Sequence, residues 1–213
     1  MPVTPDLARI RACLAPEPVA ATAEDDFTAG KTVDAAKAAL IPSAVLFPLA
    51  PRAGGLRALL TRRAEHLRDH PGQISFPGGR MEQGDISPTH TALREAEEEI
   101  GIAQTLPQIL GYLPAYRTAT GFLIYPIVAL LPPSFTLTLD AFEVAEAFEV
   151  PLARLFDPAN QRRESILYKG KEHACHVIDC TSENQPRRIW GATAGIILAL
   201  ARRLEGQREV KEA

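Results

Sequence analysis

The segment from Ser87 to Gly101, SPTHTALREAEEEIG, constrains this chain more than any other stretch. Ser87 can cap free helix amides and Pro88 fits the first helical position, while Gly101 supplies a stop. At about 100° of turn per residue, Ala92, Leu93, Ala96 and Ile100 gather into one apolar stripe that must face a core. Four of the five residues from Glu95 to Glu99 are glutamates. Glu99 falls at the border of the stripe, Glu95 beside it and Glu98 a little further round, while Glu97 points elsewhere. A core-packed helix with carboxylates along its buried edge is therefore expected.

The segments on either side read as strands. Residues 44–49 (AVLFPL) and 56–60 are aliphatic and flank a Pro-Arg-Ala-Gly-Gly turn, which predicts a hairpin. Further short strands are expected at 74–76, 109–112, 124–131, 144–150, 165–168 and 174–178, with an edge strand in the Thr-Leu alternation after Pro132-Pro133-Ser134 and a last helix over 189–206. Strands around one central helix, with a second helix closing the chain, predict an α/β (α+β) fold with a mixed sheet between helices. Residues 1–42 mix apolar, Pro and acidic residues and predict an irregular or helical arm; 43–213 is expected to be one domain. Gly191, Gly195 and Ala199 lie on one side of the last helix, where they suit close packing on the sheet or a homodimer contact.

A net charge of -3 argues against a basic, nucleic-acid-tracking surface. Three cysteines, Cys13, Cys175 and Cys180, suit a reducing compartment better than a disulfide framework. No signal peptide is visible, and the longest apolar run, 192–201, is too short to span a bilayer. A soluble, cytoplasmic protein without membrane or nucleic-acid partners is expected.

Carboxylates at 95, 98 and 99 repel one another, and the one nearest the core loses hydration. Such a cluster suits a hard divalent ion with oxygen ligands, Mg²⁺ or Mn²⁺. The plainer reading of a glutamate-rich helix is a solvated acidic face, partly neutralised by Arg94. The flanking residues favour the metal. The run GRMEQGDISPTHTALREAEEEIGI, residues 79–102, resembles the Nudix box: a glycine, an acidic residue after a loop, then Arg-Glu-aliphatic-x-Glu-Glu-x-Gly-aliphatic. Ala96 takes the aliphatic place. Asp85 stands where the common box has Glu, and its spacing to Arg94 is one residue longer.

Immediately upstream, LLTRRAEHLRDHPGQISFPGG, residues 59–79, resembles the motif of the coenzyme A pyrophosphatase branch, LLTx(T)(S/A)x3Rx3Gx3FPGG. Leu59, Leu60, Thr61, Ala64, Arg68, Gly72, Phe76, Pro77, Gly78 and Gly79 fall in register, and Arg63 replaces the usual Thr. The pieces YRTATGF, EVAEAFEVPL and IWGATAGI are similar to that branch too.

The resemblance implies a Nudix-type α/β/α sandwich with a mixed central β-sheet. It implies hydrolysis of the pyrophosphate bond of coenzyme A, or of its oxidised or acylated forms, to 3′,5′-ADP and a 4′-phosphopantetheine product. Glu95 and Glu99 would ligate the metal directly and Glu98 directly or through water, leaving Arg94 to orient a carboxylate. Cations clustered there would stabilise charge building on the phosphoanhydride oxygens and activate the attacking water. The backbone at Gly78 and Gly79 can come close to metal or phosphate. Arg62, Arg63 and Arg68 are the candidate contacts to substrate phosphates, with Arg68 foremost, and His66 and His70 read as surface residues. Glu143 is the first candidate general base, Glu146 the second, with Glu99 itself a third.

Two other functions fit parts of the pattern: a pyrophosphatase for ADP-ribose, a dinucleotide or a nucleoside triphosphate, and a catalytically silent binding module. The upstream motif argues against the first and the intact glutamates against the second. His173, Cys175, His176 and Cys180 are zinc-compatible residue types, but strand alternation puts His173 and Cys175 on one face and His176 and Cys180 on the other.

Overall fold

The computed structural model describes residues 6–21, 40–168 and 171–212. The chain opens with a short helix, α1 (Leu7–Ala12), capped by the Asp6 side chain. Residues 1–5 and 22–39 of the expected N-terminal arm lie outside the described residues. Strand β1 (Ile41–Arg52) turns into β2 (Gly55–Arg63), with Leu49 opposite Ala58, so the expected hairpin is present and longer than its apolar core. Next come β3 (Ile74–Ser75) and β4 (Gly78–Arg80), then the carboxylate helix α2 (Pro88–Ile100). Strands β5 (Gln108–Tyr112), β6 (Tyr116–Arg117), β7 (Phe122–Leu130) and β8 (Val144–Pro151) follow. After a short helix α3 (Leu152–Leu155) come β9 (Gln161–Tyr168), β10 (Lys171–Ser182), β11 (Gln185–Trp190) and the closing helix α4 (Ala192–Glu212).

Among the described residues, eight strands form one mixed sheet along the path β3-β2-β1-β7-β5, with β4 on β1, β6 on β7 and β8 on β2. Strand β1 is its axis. It runs parallel to β7 from Ile41↔Phe122 to Leu49↔Leu130, and its opposite edge is shared by β4 and then β2, both antiparallel. A strand paired on both edges and covered on both faces reads as a nearly continuous apolar run, as 44–50 does. Alternation sorts it: Ala44 and Leu46 pack under α2 with Ala92, Ala96 and Ile100, whereas Phe47 and Leu49 join a second cluster with Ile197 and Leu200 of α4. The second cluster also takes Ile178 of β10 and Ile189 of β11, from a separate antiparallel sheet ordered β11-β10-β9. The mixed sheet is thus covered by α2 on one face and by α4 with the small sheet on the other, as the α/β/α reading expects.

Two expectations are corrected. The last helix begins at Ala192 rather than Ile189, because Ile189 and Trp190 pair with Ile178 and Val177. The Thr-Leu segment after Pro133 is not a strand. Its amides serve the end of α2 instead: Thr138 N–H donates to the Ile100 carbonyl (3.0 Å) and Asp140 N–H to that of Glu99 (3.0 Å). Helix-terminal carbonyls have no partner within the helix, so this segment satisfies groups that would otherwise be orphaned.

The small residues of α4 face inward. A Cβ at Gly195 would lie 2.5 Å from the Tyr116 ring, and Ala199 is buried, so this face packs inside the chain. No helix among the described residues is long and apolar enough to cross a membrane. Replacing Gly195 with Val should lower stability by about 1–3 kcal/mol through overpacking. Gly206→Ala, in the same helix with nothing within 4 Å of the new methyl, should raise it by up to about 1 kcal/mol. Urea unfolding of both variants checks the opposed signs.

Candidate active site

Helix α2 fixes the site because both of its ends are tied. The Ser87 Oγ accepts the His90 N–H (3.1 Å), and Gly101 closes the helix in a left-handed conformation with its N–H on the carbonyls of Ala96 and Glu97. With Ala92, Ala96 and Ile100 fully buried, the glutamates follow in order of exposure. The Glu99, Glu95 and Glu98 side chains are 6%, 16% and 59% exposed. The gradient follows the helical wheel.

Strand β4 lies beneath this edge. Gly78 has φ +151, and a Cβ there would sit 2.3 Å from the Ala44 carbonyl oxygen, so only glycine fits. Its N–H donates to Glu99 Oε2 (3.2 Å). A Cβ on Gly79 would lie 2.4 Å from Glu95 Oε1, so its bare backbone makes room for that carboxylate. Burial pushes the Glu99 carboxyl up to about 8, with the negative charges of Glu95 and Glu143 adding to the rise and the Gly78 bond and Arg63 opposing it. Glu95 is raised as well, again chiefly by burial, against the opposing charge of Arg94. Arg63 Nη1 stands 3.9 Å from Glu99 Oε1.

The carboxylates grouped by sequence divide in space. Glu99 feels the charges of Glu95 and Glu143, and Glu95 those of Glu98 and Glu143, while the Glu98 side chain extends outward to Arg94 Nη1 (2.8 Å). Among the described residues, no three acidic, His or Cys side chains close on a single point. Glu143 reaches the group through its loop. Asp140 is bonded to the α2 terminus, Glu143 N–H donates to the Asp140 carbonyl (3.0 Å), and the Glu143 carbonyl accepts the Ala64 N–H (2.9 Å). Glu146 is differently engaged. Both its oxygens accept from Arg187 (2.7 and 2.8 Å) and one from Arg62 (3.3 Å), which holds its carboxyl below the usual range and occupies the lone pairs a base would need.

Of the three candidate arginines, Arg63 is the one paired with a helix carboxylate. Arg62 pairs with Glu146 and Glu65, and Arg68 is exposed on the loop after β2. A β-bulge between Arg62 and Arg63, where β2 shifts register against β8, lies where these neighbours diverge. Much of the upstream motif serves packing: Leu59, Leu60, Thr61, Ala64 and Phe76 are buried, and Phe76 lies 4.3 Å from Phe47 between ring centroids.

Asp85, whose role the sequence left open, is the hub of a clamp. Its side chain is 2% exposed and accepts from Arg94 Nε (3.1 Å) and Nη2 (3.0 Å), Thr91 Oγ1 (2.9 Å) and the Glu82 N–H (2.8 Å), with His90 Nδ1 at 2.9 Å. The Arg94 guanidinium, first among these, holds the Asp85 carboxyl well below the usual range. Arg94 then reaches Glu95 (3.0 Å) and Glu98 (2.8 Å), so one guanidinium aligns three carboxylates. Among the described residues, the zinc-compatible side chains form no metal-binding group. Cys175 accepts the Gly191 N–H (3.2 Å), and the side chain of His173 lies outside the described residues.

A capped carboxylate helix thus lies over a glycine strand, on a mixed sheet covered on both faces. The NUDIX domain profile matches residues 40–169. Uncharacterised Nudix hydrolases called NudL are 41% identical over 160 residues in Enterobacter sp. (strain 638) and 38% identical over 160 residues in Escherichia coli (strain K12). Each match covers 75% of this chain and 80% of the relative. The crystal structure of a MutT/nudix family protein from Enterococcus faecalis superposes with a TM-score of 0.51 at 17% identity, covering 78% of this chain and 62% of that one, a likeness of fold alone. This chain belongs to the Nudix hydrolase family. It is a pyrophosphohydrolase of a family that uses divalent metal ions and acts on small nucleotide derivatives.

The Asp85 clamp carries a pH signature. Its carboxyl is lowered on folding, so its contribution is present above about pH 4, the ordinary Asp value, and is lost as pH falls through the lower folded one. Asp85→Asn should cost about 2 kcal/mol at pH 7, the scale of a hydrogen bond to a charged group. The gap to wild type should narrow below pH 4, as read by urea unfolding at a series of pH values.

Proposed function

We propose that this enzyme hydrolyses the pyrophosphate bond of coenzyme A, and of its oxidised or acylated forms, giving 3′,5′-ADP and a 4′-phosphopantetheine product. The observation that carries the chemistry is the buried Glu99 beside Glu95 and Glu143. Their oxygen donors are of the kind a hard divalent ion, Mg²⁺ or Mn²⁺, takes, and burial with like charges, which raises the Glu99 carboxyl, favours a cation there; among the described residues no three of them converge on one point in this arrangement. Glu95 and Glu99 would hold it, with Glu98 joining directly or through water. When bound, such an ion supplies charge neutralisation at the phosphate oxygens and a lowered pKa for the attacking water.

The chain's own groups do the rest. Gly78 and Gly79 bring backbone close to the phosphates without side-chain bulk. Glu143 takes the proton of the attacking water. Its partial exposure and its place beside Glu95 and Glu99 support it over Glu146, which two arginines engage. Arg63, at the carboxylate edge, contacts the pyrophosphate and exposed Arg68 the outer phosphate, while Arg62, paired with Glu146 and Glu65, is the least available of the three. The coenzyme A assignment rests on the 59–79 motif and on that cationic segment feeding the glycine strand.

The substrate is tested by comparing kcat/KM for coenzyme A, ADP-ribose and NADH with Mg²⁺ or Mn²⁺. Preference for coenzyme A is expected, and preference for either of the others would refute the substrate reading. Glu99→Gln should keep the fold by circular dichroism and lower kcat by about 10²–10³-fold, the scale of losing one main electrostatic stabiliser. Wild-type turnover in that variant would remove Glu99 from the catalytic set.

A further inference from the structure

Phe142 is 67% exposed, although it stands one residue from Glu143. Single exposed apolar residues are ordinary on a protein surface, so what sets Phe142 apart is its place next to Glu143 and its ring partner. The loop that carries it is tied by its backbone. The Phe142 N–H donates to Asp140 Oδ1 (2.9 Å), Asp140 N–H is bonded to the Glu99 carbonyl, and the Glu143 carbonyl accepts the Ala64 N–H. Two residues beyond Ala64, the His66 ring supports the Phe142 ring, with centroids 4.9 Å apart and planes inclined at 59°. His66 is itself exposed, so the two rings form a small aromatic shelf joining the loop after β2 to the loop before β8.

We infer that Phe142, backed by His66, is a specificity-determining residue that stacks the nucleobase of the substrate. The inference rests on the reading of Glu95, Glu99 and Glu143 as the phosphate-processing group. A nucleotide whose phosphate lies there extends its sugar and base outward, and Phe142 and His66 sit on the two segments that carry Glu143 and Arg63. Stacking needs a flat π-surface, which a base offers and a flexible pantetheine arm does not. It is sequence-tolerant, so it raises affinity for the nucleotide half without taking part in bond cleavage.

The test uses the full chain with Mg²⁺ and the fluorescent nucleotide 1,N6-etheno-AMP, whose emission responds to stacking. Wild type should bind it, Phe142→Ala should weaken binding about tenfold, within the range for one base–aromatic stack, and Phe142→Trp should restore it. His66→Ala should give a smaller loss. In competition, Phe142→Ala should leave affinity for ribose 5-phosphate and 4′-phosphopantetheine within twofold of wild type. In turnover, KM should rise with kcat within twofold. The inference is overturned if wild type fails to bind etheno-AMP, if Phe142→Ala binds it as wild type does, or if 4′-phosphopantetheine loses more affinity than the nucleotide. Because binding is read without turnover, failure of the stacking inference is distinguishable from an enzyme that prefers another pyrophosphate.

Discussion

Glu99 is a carboxyl group that the fold drives into its interior and leaves with a backbone amide and a distant guanidinium for company. Its position follows from α2 packing: Ala92 and Ala96 are small and fully buried, so the helix settles closely on β1, and the next position along its buried edge is Glu99. Desolvation disfavours the charged form, and Glu95 and Glu143 disfavour it further. Because the folded value is raised, ionising Glu99 costs stability progressively as pH climbs from the ordinary carboxylate range toward about 8. In the proposed reading a divalent cation offsets that cost, and the unfavourable charge arrangement is what the ion would relieve.

The surroundings keep that arrangement rigid. Arg94 cannot neutralise the cluster freely, because Asp85 holds its guanidinium in a paired geometry backed by Thr91 and His90. Fixed in this way, Arg94 touches the outer edges of Glu95 and Glu98 and leaves Glu99 to the glycine strand. On the other side, Gly78 lets β4 run against β1 where any side chain would strike backbone, and Gly79 leaves the space that the Glu95 carboxylate fills. The segment at 138–140 closes the helix terminus and delivers Glu143. Each contact holds backbone or charge at a fixed distance from Glu99.

Much of this was legible in the sequence because it is periodic or punctuated. The Ser87-Pro88 start, the Gly101 stop and the apolar stripe predicted α2 and the order of exposure of its glutamates, and the aliphatic runs predicted β1, β2 and β7. Strands β4 and β6 escaped because two or three residues, some of them glycine, carry no alternation. Strand β11 escaped because QPRRIW mixes buried Arg187 with apolar residues. Arg187 is inside only because Glu146 bonds it and Phe148 lies 3.8 Å beneath its guanidinium, partners some forty residues away. The same distant pair separates Glu146 from Glu143. The sequence put Arg68 ahead of Arg63, whereas Arg63 is the one that pairs with Glu99, and the register shift on β2 that accompanies the divergence of Arg62 from Arg63 is a property of strand pairing.

The central claim is that a proton on a buried Glu99 is exchanged for a divalent ion. Calorimetric titration of Mg²⁺ at pH 7, in two buffers of different ionisation enthalpy, counts the protons released on binding. Wild type should release about one proton per ion, since a group with a folded value of about 8 is largely protonated at that pH. Glu99→Gln should release almost none and bind Mg²⁺ more weakly. Equal proton release and equal affinity in the two proteins would contradict the account.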